Sequence, residues 1–106
     1  MTIVLASGGF DPFHIGHLFY LKAAKMLGDK LIVAIDGDGY LIKKKGKVFL
    51  SLQERIAIIQ ELKCVDEAIA WGNGIEGDMA SLIRYLKPNI FVNGGDRDSL
   101  SNISKE

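Results

Sequence analysis

Residues 7–17 read SGGFDPFHIGH, and the fold follows from what stands on either side of them. A short apolar run, Ile3 to Ala6, precedes the stretch, and an amphipathic segment, Leu18 to Leu27, follows it. This order predicts a strand that ends in a glycine turn and a helix that begins near His17. The paired glycines Gly8 and Gly9 let the backbone pass close to a ligand where a side chain would collide. The helix terminus beyond them offers unpaired N–H groups and a partial positive charge, which suits an anion such as phosphate. His14 and His17 are three residues apart, so on a first helical turn both rings lie on one face. The stretch reads as a phosphate site with two imidazole donors.

Outward from it, the chain alternates. Thr2 to Ala6 is continuously apolar and β-branched, as in strands buried on both faces. Leu18, Leu21, Ala24 and Leu27 recur at helical spacing with Lys22 and Lys25 outward, and Gly28-Asp29 stops that helix. Lys30 to Ile35 is a second buried strand. Asp36 to Lys47, DGDGYLIKKKGK, reads as a glycine- and lysine-rich loop. Ser51 and Glu54 form a capping box ahead of a helix whose buried stripe is Leu52, Ile56, Ile59 and Leu62. Val65 to Trp71 is a third strand and Gly72 to Gly77 a loop. Met79, Leu82, Ile83 and Leu86 mark a third helix closed by Pro88. Ile90 to Val92 is a fourth strand ending in Asn93-Gly94-Gly95-Asp96, and the last ten residues are polar without a period. Such alternation predicts an α/β fold: a Rossmann-like parallel sheet of at least four strands with helices on both faces. Ligands bind beyond the carboxyl ends of such strands, where the glycine clusters fall.

Composition narrows the function classes. The 106 residues suit one domain, and 48% hydrophobic with 25% charged residues argue against disorder. Thirteen basic and thirteen acidic residues cancel, so no global electrostatic case exists for nucleic acid or membrane as partner. The charge is uneven: residues 1–63 carry nine Lys/Arg against six Asp/Glu, and residues 64–106 four against seven. The basic half holds the phosphate-like site. A lone cysteine, Cys64, and an N-terminus without the basic region of a signal peptide make the cytoplasm the expected location. Cys64 itself reads as a small buried hydrophobe.

Neither GxGxxG nor GxxxxGK[ST] occurs, so dinucleotide and P-loop readings lack their signatures. Instead, Gly9-Phe10-Asp11-Pro12-Phe13-His14-Ile15-Gly16-His17 resembles the HxGH signature of the cytidylyltransferase-like nucleotidyltransferases. That family includes glycerol-3-phosphate cytidylyltransferase, heptose-phosphate adenylyltransferases and archaeal FAD synthetase. Gly28 to Ala34 resembles the family's second strand, Lys45-Gly46 its mobile lysine loop, and Leu52-Gln53-Glu54-Arg55 its E-x-R helix. Val65-Asp66-Glu67 and Asn93-Gly94-Gly95-Asp96 complete an ordered set over residues 1–97.

The resemblance implies transfer of CMP or AMP from CTP or ATP to a phosphorylated small molecule of the polyol or sugar phosphate type, releasing pyrophosphate. It assigns His14, His17 and Lys45 to catalysis, the histidines as donors to phosphate oxygens and Lys45 as a mobile cation. It assigns Gly8, Gly9, Phe10, Asp11, Arg55, Gly94, Gly95 and Asp96 to the nucleotide. Within that set Arg55 clamps a phosphate group, Asp96 contacts the nucleoside, and Asp11 fixes the turn or the acceptor. Mg²⁺ would bridge the polyphosphate, with most of its shell from water and substrate and no protein metal site.

Three rival readings stand beside this one. His-Ile-Gly-His is also the signature of class I aminoacyl-tRNA synthetases, which need a longer catalytic domain and a second lysine motif. Zinc ligation needs three or four donors, and only Cys64 remains to join the two histidines. An inactive nucleotide-binding or regulatory module of the same fold is the main alternative, although His14, His17, Lys45 and Arg55 are all present. The resemblance also implies a further strand and a Ser/Thr-rich helix start beyond the Gly94-Gly95-Asp96 turn, for which Asn102-Ile103-Ser104 lies too close. Residues 1–106 are therefore expected to be a single nucleotidyltransferase domain truncated at its C-terminus. It would bind nucleotide weakly and leave an open sheet edge beside the fourth strand, through which a homodimer could form.

Overall fold

The structure, a computed structural model, describes residues 1–71, 79–93 and 103–105. Strand β1 (Ile3–Gly8) leads to helix α1 (Ile15–Lys25), β2 (Lys30–Asp36), α2 (Asp38–Lys45), α3 (Leu52–Gln60), β3 (Glu67–Trp71), α4 (Met79–Leu86), β4 (Ile90–Asn93) and β5 (Ile103–Lys105). The sheet order is β3-β2-β1-β4-β5. The first four strands in that order run parallel, with Ser7 of β1 in register with Ala34 on one side and Asn93 on the other. The chain moves from β1 outward through β2 and β3, then crosses to β4 on the far side of β1. The switch point of this α/β sheet therefore lies at the carboxyl ends of β1 and β4, where ligands bind in such folds.

Alternation along the strands sorts the core into two layers. Val4 and Ala6 of β1, with Leu31, Val33 and Ile35 of β2 and Val92 of β4, face α1 and α3. Leu21 and Ala24 of α1 and Ile59 of α3 are fully buried against them. Leu5, Ile32 and Ala34 face the opposite way, where Leu82, Ile83 and Leu86 of α4 cover them. Helices thus cover both faces of the sheet, and the short β1 is buried from Val4 to Gly8 because it is central.

Three expectations need correction. Residues 38–45 are helix rather than loop: Asp38 suits the positive N-terminal end, and Gly46 at φ 91° supplies the left-handed C-cap. The helix sequence, DGYLIKKK, lacks the periodic apolar stripe that identifies α1, α3 and α4, and Leu41 is buried while Ile42 is exposed. Helix α1 begins at Ile15 rather than near His17, because His14 serves as its N-cap. The edge of β4 is not open, since β5 pairs antiparallel with it, Phe91 opposite Ser104. The open edge was the ground for the expected homodimer, and that ground is removed. Among the described residues no helix is long and apolar enough to cross a membrane.

Candidate active site

The signature loop leaves β1 at its carboxyl end and is held by its own aromatic residues. Phe10 has φ 54° and is almost wholly buried. Its ring lies over Gly8, where a Cβ would come within 3.1 Å of it. A Cβ on Gly9 would meet Leu41 of α2 at 3.0 Å. The two glycines thus make room for the protein's own side chains. Phe10 stacks on Tyr20 at 6.3 Å and meets His17 edge-on at 5.2 Å, with Phe13 5.5 Å from the same imidazole. Tyr20, a residue the sequence reading passed over, shares its one hydroxyl proton between the carbonyls of Ser7 and Val92, each at 3.1 Å. It ties β1 to β4 at the switch point, and burial pushes its phenol well above the usual range. A polar-tipped aromatic one turn after His17, on the apolar side of a helix, was the available signal.

The two histidines form a reciprocal cap. His14 Nδ1 accepts from the Gly16 N–H at 3.1 Å, and His17 Nδ1 accepts from the His14 N–H, also at 3.1 Å. Their rings stack with centroids 3.8 Å apart. An imidazole whose Nδ1 accepts a hydrogen bond carries its proton on Nε2 when neutral. Both rings are therefore fixed in the tautomer that offers an Nε2–H donor. Burial against the aromatic residues, then the nearby charges of His14 and Lys45, hold the His17 imidazolium pKa down to about 4. His17 is neutral at physiological pH.

A cation stands beside them. Lys45, the last residue of α2, donates from Nζ to the Asp11 carbonyl at 2.7 Å and lies 3.5 Å from Asp11 Oδ2. The covered Asp11 carboxylate accepts from the backbone N–H groups of Phe49 and Leu50 at 2.7 and 2.6 Å. Burial alone would raise the Asp11 pKa. Those two donors and the Lys45 ammonium prevail and hold it below the usual carboxylate range. Phe49 is exposed and sits under Lys47 and Lys45, 4.7 and 5.5 Å from their ammonium groups.

Arg55, the residue expected to clamp a phosphate group, lies behind the signature loop. It is completely buried, and its guanidinium is engaged within the protein. Nε donates to Leu50 O at 2.9 Å, Nη1 to Gly9 O at 2.9 Å and Asp36 O at 2.5 Å, and Nη2 to Asp38 Oδ1 at 2.6 Å. The structure therefore brings Gly8, Gly9, Phe10, Asp11, His14, His17, Lys45 and Arg55 together around one loop, with Arg55 behind it. Gly94, Gly95 and Asp96 lie outside the described residues, directly after the end of β4.

Two fixed imidazole donors and a lysine, set where β1 ends at the switch point, suit a ligand rich in phosphate oxygens. The cytidylyltransferase-like family model matches residues 5–104. The chain belongs to that family. It is 41% identical over 97 residues to the bifunctional protein HldE of Coxiella burnetii strain RSA 493, covering 90% of this chain and 20% of that protein. It is 42% identical over 98 residues to an FAD synthase of Thermoplasma volcanium, covering 92% of this chain and 66% of that protein. The crystal structure of a lipopolysaccharide core biosynthesis protein from Thermoplasma volcanium superposes with a TM-score of 0.74 at 42% identity, over 86% of this chain and 72% of that one. The chain thus spans a fifth of the HldE protein and about two thirds of the FAD synthase.

Proposed function

We propose that this chain catalyses nucleotidyl transfer from CTP or ATP to a phosphorylated small molecule of the polyol or sugar phosphate type. An oxygen of the acceptor's phosphate attacks the α-phosphorus and forms a new O–P bond. The bond from that phosphorus to the α–β bridging oxygen breaks, and pyrophosphate leaves with the electron pair. Charge accumulates on the phosphate oxygens as this happens, so donors already aimed at them lower the barrier without reorganising. The paired Nδ1 hydrogen bonds carry the reading, because they leave both histidines with Nε2–H donors free to serve this role. In the same reading Lys45 moves from Asp11 to the phosphates when nucleotide arrives. Gly94, Gly95 and Asp96 belong to nucleotide binding in the same reading, with Asp96 contacting the nucleoside.

A divalent cation fits as a passenger on the nucleotide. Among the described residues no three His, Cys, Asp or Glu side chains converge on a metal position, and Asp11 is committed to the Phe49 and Leu50 N–H groups. The triphosphate would hold Mg²⁺, with water completing its shell, and the bound ion would neutralise phosphate charge.

The test is pyrophosphate release with ATP or CTP, Mg²⁺ and a panel of sugar and polyol phosphates. One triphosphate should give release that depends on an acceptor. Nucleotide binding with no release from any pair would favour the inactive-module reading instead.

A further inference from the structure

Arg55 poses a problem that the phosphate chemistry leaves unsolved. A fully buried guanidinium is costly to desolvate unless its donors are satisfied, and here every partner lies in a different segment. Gly9 belongs to the signature loop, Asp36 ends β2, Asp38 opens α2, and Leu50 lies between α2 and α3. Asp38 is the partner reached through its side-chain carboxylate, whereas the contacts to Gly9, Asp36 and Leu50 are to backbone carbonyls. Asp38 is also partly exposed, with 39% of its side chain open to solvent.

Helix α2 starts one residue after β2 ends, and the Gly37 N–H between them donates to Trp71 O at 2.9 Å. Its N-cap Gly37 makes no side-chain capping bond, and Leu41 is its buried apolar anchor. The helix is eight residues long, or about 12 Å at 1.5 Å per residue. Both ends are tied to the same loop. Asp38 at the first turn is joined through Arg55 to Gly9, and Lys45 at the last turn is joined to Asp11. Gly9, Arg55, Asp38, α2, Lys45 and Asp11 therefore make a ring that closes through Phe10 of the loop. If Lys45 leaves Asp11 to meet phosphate, the Arg55–Asp38 pair is a polar tie that still joins α2 to the loop.

We propose that Arg55 and Asp38 are positioning residues, which act on the phosphates through the placement of Lys45. This assignment rests on the reading of Lys45 given under the proposed function, but its first test does not need turnover. Asp38→Asn removes the charge while keeping the size of a partly exposed side chain. The Lys45 amine should then be acetylated roughly threefold faster or more than in the wild type, because its end of the ring is loosened. Lys22, exposed on α1, should label at the wild-type rate, with helical circular dichroism unchanged. Unaltered labelling of Lys45 in a folded Asp38→Asn protein would overturn the proposal, whatever the protein's activity. The second test is a double-mutant cycle in kcat. Asp38→Asn should lower kcat by roughly tenfold in the wild-type background and leave it unchanged in the Lys45→Ala background. Additive losses would show that Asp38 does not act through Lys45. Absence of turnover in the wild type would count against the proposed function, while the labelling result would still decide the positioning role.

Discussion

His17 meets two requirements whose physical causes are separate. Its Nδ1 is fixed by the His14 N–H, which sets the tautomer, and its ring is packed among Phe10 and Phe13, which disfavours the charged form. The imidazolium pKa, held at about 4 in the fold, stands near 6.5 in an unfolded chain. Between these values the unfolded chain binds a proton that the folded chain refuses, so the contribution of this group is full above pH 6.5 and is lost as pH falls toward 4. The stability difference between the wild type and His17→Asn should accordingly narrow between pH 7 and pH 4 in denaturant titrations. A difference independent of pH would mean that His17 titrates alike in both states. The histidine pair was legible in the sequence because its spacing and flanking glycines are local. The role of Arg55 was not: the resemblance implies a phosphate clamp at position 55, and nothing local announces partners at residues 9, 36 and 38. Gly9 was legible as a position that tolerates no side chain, but its neighbour is Leu41, which sequence separation conceals.

At the scale of elements, strands and helices with an apolar period were readable, and those without one were not. Helix α3 announced itself through Ser51 and Glu54. The structure forms that capping box, with Glu54 N–H donating to Ser51 Oγ at 3.2 Å and Ser51 N–H to Glu54 Oε1 at 3.1 Å. Ser51→Ala should therefore destabilise the protein by about 1 kcal/mol in denaturant unfolding, and no loss would mean that water replaces the cap. Helix α2 escaped notice because tertiary ties rather than periodicity hold it, and the three-residue β5 is too short to carry a pattern. Gly28 shows how one turn sets the relation of α1 to the sheet. The chain passes so close to β1 that the Asp29 and Lys30 N–H groups both donate to Thr2 O, at 2.7 and 3.1 Å. A Cβ at Gly28 would lie 2.7 Å from that same carbonyl oxygen. Gly28→Ala must displace backbone, and a loss of about 1–3 kcal/mol is expected from denaturant midpoints. A wild-type midpoint would mean that the turn relaxes freely.

Across the whole molecule, strand order explains why residues far apart in sequence meet. Placing β1 at the centre with β4 beside it brings the signature loop next to the end of β4, and Tyr20 fastens the two at their carbonyls. Helices α2 and α3 then carry Lys45 to the Asp11 carbonyl and Arg55 to the Gly9 carbonyl of that loop. The account of function rests on the histidines being worth more to the transition state than to bound nucleotide. The most direct measurement compares kcat and nucleotide Kd for His14→Ala, His17→Ala and the wild type, with turnover followed by pyrophosphate release and binding by calorimetry. The account predicts that kcat falls roughly 10²-fold or more in each variant while Kd changes far less. Wild-type turnover in both variants, or equal losses in binding and turnover, would contradict it.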